Sequence, residues 1–239
     1  MTDQATTAQS PQRMSRGLAP RAWRLLQQWR WRRRQLRRNR QGCRRLISEA
    51  LDLLAFNGIQ GDYVEFGCGW AETLSVAHRA TRHLPMERQL WVVDSFEDIP
   101  PPRSFRDLHP RWPEGKQRAK AAQFQRRCFR AGVPRAAYRL VRSPFEQLES
   151  DAIPENIALA FVNCCSHSQV VAVLKLLEPR LKHGMILAFS NYYAYSRFHR
   201  SGDRAAFSSL QMGEHSFRFC HYRNFGPTGA AFLVEEAMA

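Results

Sequence analysis

Two segments of the chain place carboxylates and glycines directly after short apolar runs. The first is GDYVEFGCGWAET, residues 61–73, with Glu65, Gly67 and Gly69. The second is LWVVDS, which ends in Asp94 and Ser95. Glycines let the backbone approach a ligand closely, and the N-terminus of a following helix offers unpaired N–H groups. Because a carboxylate after the second strand can accept both hydrogen bonds of a ribose diol, the two segments together predict a nucleoside-type cofactor site.

These residues need a parallel sheet to bring them together, and the chain has the pattern of one. Short, continuous apolar runs predict five strands buried on both faces: Asp62–Phe66, Gln89–Asp94, Tyr138–Val141, Ile157–Asn163 and Met185–Ser190. Helical stretches separate them: Thr73–Arg82, Lys116–Arg130, a short turn at Phe145–Glu149, and Gln169–Leu181. Two further runs, Ser216–Tyr222 and Gly229–Val234, predict a terminal antiparallel hairpin. The expected fold is α/β, a doubly wound, mostly parallel seven-stranded sheet with a C-terminal antiparallel hairpin.

Ligands of such sheets bind outside the carboxyl ends of the strands. Ser143 follows the third predicted strand, and Asn163 ends the fourth. Each of these signals is weak alone, since a glycine turn is usually only a turn and an aspartate after a strand often caps a helix. The equivalent positions of the signals on the first two strands strengthen the prediction.

The segments GDYVEFGCGWAETLSVA, LWVVDSFEDIP and YRLVRSPFEQL, with the block 157–193, resemble the macrocin-type (TylF-like) class I O-methyltransferases, which methylate sugar hydroxyls of macrolides and related compounds. The resemblance covers about residues 45–235. It implies S-adenosylmethionine as cofactor, with Glu65 and Gly67 at the methionine end and Asp94 on the ribose. From their positions at the strand ends, we also predict Gly69, Ser95, Ser143 and Asn163 as cofactor-binding residues. The family usually has another glycine near Ala71 or Glu72, where this chain departs from it.

A second departure concerns the metal. The family has Asp-x-Asp-x-Tyr and Asp-Asp-Tyr after strands four and five, and these carboxylates hold magnesium. This chain has Asn163-Cys164-Cys165-Ser166-His167 and Ser190-Asn191-Tyr192 in those places. Because magnesium prefers anionic oxygen ligands, we expect no tight magnesium binding and predict no metal ligands.

Without a metal, a hydroxyl acceptor needs another group to take its proton. His167 is the surviving candidate, because a neutral imidazole accepts a proton near neutral pH. The alternative is that His167 only begins a helix that Ser166 or Ser168 caps. Further candidates for lining the site, or for ordinary packing and surface positions, are Asn191, Tyr192, Tyr193, His221, Arg223 and Asn224.

The loop from Pro100 to Gly115 follows strand two, where the family places a lid over the substrate. Its basic and aromatic residues would suit a glycosylated or anionic acceptor: Arg103, Arg106, His109, Arg111 and Trp112. The alternative is an ordinary surface loop.

The formal net charge of +15 is concentrated near the N-terminus. Thirteen arginines and no acid lie between Arg13 and Arg45, and the only acid before Glu49 is Asp3. We therefore predict a disordered tail (residues 1–20), a basic amphipathic arm (residues 21–40) and a methyltransferase-like domain (residues 41–239). The arginine-rich segment 13–45 could contact an anionic membrane, RNA or a partner subunit, or it could be a solvated charge run.

The remaining features of the sequence concern the cellular location of the protein and its functional class. Six cysteines without CxxC spacing, and the absence of a secretory signal, favour free thiols in the cytoplasm, with a peripheral membrane location left open. We expect a methyltransferase that acts on a hydroxyl of a sugar or secondary metabolite without tightly bound magnesium. The alternatives are a catalytically degenerate binding or structural module and, less favoured, an RNA methyltransferase. Homo-oligomer formation is also left open.

Overall fold

The computed structural model describes residues 18–69, 71–194, 202–213 and 215–237. The chain divides into two compact units between Arg37 and Arg38. In the first unit, the described residues 18–37 are helical throughout. Residues 1–17 of the predicted tail lie outside the described residues, so that its disorder stays a prediction.

The second unit alternates helices and strands as the sequence predicts. The helices are α1 (Leu18–Phe56, which begins in the first unit), α2 (Glu72–Thr81), α3 (Ala121–Arg130), α4 (His167–Leu177) and α5 (Gly202–Gln211). The strands are β1 (Asp62–Phe66), β2 (Leu90–Val93), β3 (Arg139–Val141), β4 (Ile157–Val162), β5 (Ile186–Phe189), β6 (Phe217–Phe225) and β7 (Gly229–Glu236). Single 3-10 turns occur at Phe105–Asp107, Arg135–Ala137, Phe145–Gln147, Ser150–Ala152 and Glu178–Arg180.

The seven strands form one sheet in the order β3-β2-β1-β4-β5-β7-β6. The first five strands are parallel, whereas β7 pairs antiparallel with both β5 and β6. The predicted doubly wound α/β sheet with its C-terminal hairpin is therefore confirmed.

Two helices differ from the prediction. The predicted helix over Lys116–Arg130 begins only at Ala121, because Arg118 and Lys120 are held by carboxylates of the preceding loop. Helix α5 was not predicted, although its buried residues Ala206, Phe207 and Leu210 have helical spacing. Residues 116–120 and α5 both lie beside the carboxyl ends of the strands.

The strands of the sheet bury both of their faces. On one face, Tyr63 of β1 packs in a core with α1, α2 and α3, and the buried residues of α1 recur from Cys43 to Leu54 at helical spacing. On the other face, Val64 and Phe66 pack with α4 and α5. β1 and β4 are neighbours in the sheet, and the chain leaves them toward opposite faces. Open α/β sheets bind ligands at such a position.

Across the described helices, none combines the length and the apolar character needed to cross a membrane.

Candidate cofactor and acceptor site

Two glycines shape the turn after β1. Gly67 and Gly69 have φ values of +84° and +51°, a left-handed backbone that favours glycine. A Cβ atom on Gly67 would lie 2.5 Å from the carbonyl oxygen of Asn163. The Asn163 Nδ2 group donates a 2.9 Å hydrogen bond to the Gly67 carbonyl. The predicted site residues Gly67, Gly69 and Asn163 therefore lie together at the ends of β1 and β4. Close packing against Asn163 also requires glycine at position 67, apart from the predicted binding of a ligand.

Asp94 lies at the end of β2 and is only 2% exposed. Its Oδ2 atom accepts hydrogen bonds from the Cys68 backbone N–H and from Arg118 Nη2, both at 3.0 Å. Its Oδ1 atom accepts from the Phe96 N–H at 2.9 Å. The carboxylate thus ties the turn after β1 to the loop after β2. The Arg118 guanidinium, which sequence reasoning missed, bonds to a carboxylate whose contact with a ribose stays a prediction.

The backbone around these groups is strained at two positions. Phe96 has a φ of +58°, which is rare for a bulky side chain, and its buried ring packs on Phe124. Ala71, at the N-cap of α2, has a φ of +64°. The loop therefore adopts a left-handed conformation near the place where the family usually has glycine. Strain of this kind clusters at ligand sites.

Glu65 is fully buried on the sheet face that packs against α1 and α2. Its carboxyl oxygens accept hydrogen bonds from Thr73 Oγ1 (2.5 Å) and Tyr63 Oη (3.0 Å). Burial raises the pKa of Glu65 to about 8, against the lowering effect of these two bonds. The structure thus gives Glu65 two protein partners, and its predicted place beside the methionine end stays a prediction.

Ser95 and Ser143 make local contacts. The Ser95 Oγ atom accepts a hydrogen bond from the Glu97 N–H, and the Ser143 hydroxyl donates to the Pro144 carbonyl. Both residues lie at the predicted strand ends, but these bonds only shape the turns. Their predicted contact with a cofactor stays a prediction.

The polar groups after β4 and β5 bond to one another. The Ser190 hydroxyl donates to Asn163 Oδ1 at 2.5 Å, and Asn191 Nδ2 donates to the Cys164 carbonyl at 3.0 Å. The side-chain oxygens of Asn163, Ser190 and Asn191 are uncharged, and Asn163 Oδ1 already accepts the hydrogen bond from Ser190. Within the described ranges, no three His, Cys, Asp or Glu side chains converge as metal ligands do. The described residues therefore do not fit a magnesium ion, which prefers anionic oxygen ligands.

His167 is the first residue of α4, and Ser166 is the N-cap. Its Nε2 atom is buried and has no hydrogen-bond partner in the described part of the structure. Burial lowers the pKa of His167, and so does Arg106, whereas Asp107 raises it. The imidazole is therefore held in the neutral form that accepts a proton. The capping alternative is also realised, because Ser166 accepts a hydrogen bond from the Gln169 N–H.

A small cavity borders His167 and reveals a carboxyl group that sequence reasoning missed. The cavity is lined by residues that include His167, Asn191 and Asp203. Asp203, in the first turn of α5, is 2% exposed and accepts a hydrogen bond from the Asn191 N–H at 3.2 Å. Burial raises its pKa to about 7. The only sequence signal was an acid beginning a short amphipathic helix.

The loop 100–115 covers a larger cavity of about 580 Å³. Most of its lining is apolar: Ile99, Pro100, Pro101, Pro102, Phe105, Leu108, Pro110, Trp112 and Pro113. Its polar lining consists of Arg103, Asp107, His109, Glu114, Glu146, Cys165, Ser166 and Ser168. We call this the lid cavity. It shares Asp107, His109, Trp112, Cys165 and Ser166 with the small cavity beside His167, but none of the seven predicted cofactor residues is in its lining.

The loop that lines the lid cavity is fastened to α4 by Asp107. This buried carboxylate accepts hydrogen bonds from Ser168 N (2.7 Å) and Ser168 Oγ (2.6 Å) at the beginning of α4. It also accepts from the N–H groups of Arg103 and Ser104. Burial raises the pKa of Asp107, but these bonds lower it below the usual value. The loop is therefore anchored to α4 by one ionised side chain.

Of the hairpin candidates, Asn224 is the centre of a local cluster. Its Oδ1 atom accepts from Tyr193 Oη at 3.1 Å and lies 2.8 Å from His221 Nε2. Arg223 forms an ion pair with Glu49 of α1. None of the hairpin residues His221, Arg223 and Asn224 lines the two described cavities.

Comparison with known proteins identifies the fold and the family. Three solved methyltransferase structures have the same fold: NovP (17% identity, TM-score 0.66), CalS11, the calicheamicin methyltransferase (18%, 0.59), and S-adenosylhomocysteine-bound PaMTH1 of Podospora anserina (13%, 0.55). The alignments cover 80%, 78% and 96% of this chain, and 79%, 76% and 99% of the other chain, respectively. No curated protein matches the chain in sequence. A family model described as macrocin-O-methyltransferase (TylF) matches residues 36–204. The chain therefore belongs to the macrocin O-methyltransferase (TylF) family.

Proposed function

We propose that the protein is an S-adenosylmethionine-dependent O-methyltransferase that methylates a hydroxyl group of a neutral, glycosylated secondary metabolite. The observation that carries the proposal is the unpartnered, buried Nε2 atom of His167 at the small cavity that adjoins the lid cavity of a TylF-family fold. The reaction would proceed without tightly bound magnesium, because neutral residues stand where the family has metal carboxylates.

The cofactor would bind where β1 and β4 diverge. The turn at Gly67 and Gly69 and the carboxylate of Asp94 would hold it, with Glu65, Ser95, Ser143 and Asn163 around them. The positive φ of Gly67 and of Phe96 and the carboxylate at the end of β2 fit this use. S-adenosylmethionine supplies an activated methyl group to an acceptor oxygen and leaves as S-adenosylhomocysteine. PaMTH1, which has the same fold, binds the latter compound.

The lid cavity would bind the acceptor. Its size is within the range of small-molecule sites, and its prolines and aromatic side chains suit an apolar scaffold. Its lining holds the carboxyl groups of Asp107, Glu114 and Glu146 and only one arginine, Arg103, which forms an ion pair with Glu146 at 3.5 Å. This charge balance favours a neutral acceptor over an anionic one such as a nucleotide sugar. CalS11, by contrast, is a TDP-rhamnose 3′-O-methyltransferase.

His167 would accept the proton of the acceptor hydroxyl on Nε2, as a general base. Its lowered pKa keeps the imidazole neutral, which is the form a general base needs. His167 lines the small cavity that adjoins the lid cavity. Most of the remaining rate enhancement would come from the positioning of the two reactants.

The experiment that tests the proposal has two stages. Calorimetry of the purified protein with S-adenosylhomocysteine should show one binding site, and Asp94→Ala should abolish it. Transfer of labelled methyl from S-adenosylmethionine is then measured on neutral macrolide glycosides and on nucleotide sugars, with and without chelator. We expect product with the glycosides, unchanged by chelator.

The possible results separate the alternatives. Failure of the wild-type protein to bind either cofactor form would overturn the proposal. Binding without transfer to any acceptor would favour the catalytically degenerate module. Loss of activity with chelator would show that a metal takes part despite the neutral residues.

A further inference from the structure

The helical residues 18–37 expose a set of large apolar side chains that the methyltransferase site does not use. Each of six side chains in this segment is between 42% and 65% exposed: Trp23, Leu25, Leu26, Trp29, Trp31 and Leu36. Single exposed apolar residues are ordinary on a protein surface, but a contiguous set marks an interaction site. The family match begins only at residue 36 and therefore does not account for this segment.

The exposed residues are ordered along the helix. Ala22, Leu25, Leu26, Trp29 and Leu36 stand at positions i, i+3, i+4, i+7 and i+14, which lie on one side of an α-helix. The i+11 position is Arg33, and its guanidinium stacks on the Trp29 ring at 4.3 Å. We call this the apolar stripe. Trp23 and Trp31 lie outside it.

The rest of the helix surface is basic. Six arginines with exposed side chains flank the stripe: Arg24, Arg30, Arg32, Arg33, Arg34 and Arg37. The segment contains no acid, and none of these six guanidinium groups has a carboxylate partner within the described ranges. Guanidinium groups bind phosphates through paired hydrogen bonds, so the helix fits an anionic, phosphate-bearing partner.

We propose that residues 18–37 form an interfacial helix that binds the protein to an anionic phospholipid surface, with the apolar stripe among the acyl chains and the arginines on the headgroup phosphates. The helix is too polar to cross a membrane. A basic helix with leucine and tryptophan on one side is the pattern of helices that lie in the membrane interface. Tryptophan also favours the headgroup level, which gives Trp23 and Trp31 a place at the edge of the stripe.

Two other partners fit the segment less well. RNA would use the arginines and could stack on tryptophan, but it offers nothing to the exposed Leu25, Leu26 and Leu36. A second copy of the same helix would bury the stripe but would bring two strongly basic segments together, which is repulsive. A bilayer satisfies both the aliphatic and the basic residues.

The test is co-sedimentation of the full chain with vesicles. We compare pure phosphatidylcholine with an equal mixture of phosphatidylcholine and phosphatidylglycerol, and expect binding only to the mixture. The triple variant Arg30→Gln, Arg34→Gln, Arg37→Gln should lower the partition coefficient about a hundredfold, because each arginine near an anionic surface contributes to binding.

A second triple variant separates lipid insertion from charge attraction. Leu25→Ser, Trp29→Ser, Leu36→Ser keeps every charge and should lower partitioning by about tenfold or more. The matched control Gln27→Ser, Gln28→Ser, Gln35→Ser makes the same number of changes in the same helix, outside the stripe, and should leave partitioning unchanged.

Three results would overturn the proposal. One is the absence of binding to the mixed vesicles. Another is an unchanged partition coefficient in the stripe variant, since binding by charge alone would then point to a polyanion such as RNA. The third is an equal loss in the glutamine control, which would mean that only helix formation was affected. None of these measurements depends on methyl transfer.

Discussion

At the scale of single residues, the carboxylate of Asp94 has two partners that compete: Arg118 in the structure and a ribose in the proposed function. In the structure, Oδ2 accepts from Arg118 Nη2 at 3.0 Å, and the Arg118 side chain is only 14% exposed. In the proposed function, the same carboxylate accepts hydrogen bonds from a ribose. Because a binding-competent state that is only partly populated weakens the apparent affinity, we expect the Arg118 contact to weaken the proposed binding of the cofactor.

The first prediction concerns this contact. Arg118→Met should release Asp94 and strengthen the binding of S-adenosylhomocysteine about tenfold in calorimetry. The matched control is Lys120→Met, in the same segment, because Lys120 pairs with the more exposed Asp98. The control should leave affinity unchanged. Weaker binding by Arg118→Met would contradict the prediction and would mean that Arg118 itself holds the cofactor.

The second prediction concerns His167 and pH. Burial lowers the pKa of His167, so its neutral form persists below the usual value of 6.5. For a general base, kcat/KM should fall about tenfold per pH unit once the pH passes below that lowered pKa. His167→Gln should lower kcat by about a hundredfold or more and remove this acid limb. The control is His183→Gln, which changes a histidine before β5, at the other end of the sheet. If the fall of kcat/KM at acidic pH persisted in His167→Gln, His167 would not be the general base.

Some of these residues could be predicted from sequence, and others could not. Gly67, Asp94 and Asn163 were predictable because each follows an apolar run that can only be a buried strand. Arg118 and Asp203 were not, because their positions depend on how a loop and a short helix fold back over the strand ends. Neither residue belongs to a motif.

At the scale of elements, the loop between β2 and α3 depends on Asp107. This residue completes a capping box with Ser104 in the loop and at the same time bonds to Ser168 in the first turn of α4. A helix N-terminus stabilises a negative charge, so the ionised carboxylate suits this position. The loop that lines the lid cavity is therefore anchored to α4 through one residue.

The third prediction tests that anchor. Asp107→Asn should weaken several charge-assisted hydrogen bonds, lowering the free energy of unfolding by about 2 kcal/mol. It should also speed tryptic cleavage at Arg103, Arg106 and Arg111, because the loop opens more often. The control is Asp98→Asn, in the same loop, whose carboxylate bonds to Lys120 and is more exposed. Equal cleavage rates in the two variants would contradict the anchor.

The elements themselves were predicted unevenly, for physical reasons. Strand β1 was predicted with its observed bounds, because a continuous apolar run before a glycine leaves few alternatives. The start of α3 was misplaced, since residues 116–120 have helical composition but are held by Asp94 and Asp98. Tertiary contacts therefore overrode local propensity where the chain builds its site.

At the scale of the whole molecule, folding buries two carboxyl groups next to the strand ends. Glu65 and Asp203 lie on opposite faces of the sheet, and burial raises their pKa values to about 8 and about 7. Each group binds its proton more tightly in the folded than in the unfolded state. Their contribution to stability is therefore complete at acidic pH, below the unfolded pKa values, and is lost as the pH rises through about 7 to 8.

The fourth prediction follows from this linkage. The free energy of unfolding of the second unit should fall between about pH 5 and pH 8, by up to about 1.4 kcal/mol per pH unit for each of the two carboxyl groups. Glu65→Gln keeps the shape of the side chain but cannot ionise, so that the stability of the variant should depend less on pH. Its amide oxygen can accept from one of the Tyr63 and Thr73 hydroxyls, and its NH2 group can donate to the other. Urea unfolding at a series of pH values measures this slope. Glu87→Gln, at an exposed glutamate, is the control and should keep the wild-type slope. If Glu65→Gln also kept the wild-type slope, Glu65 would not contribute to the pH dependence of stability, which would contradict the prediction.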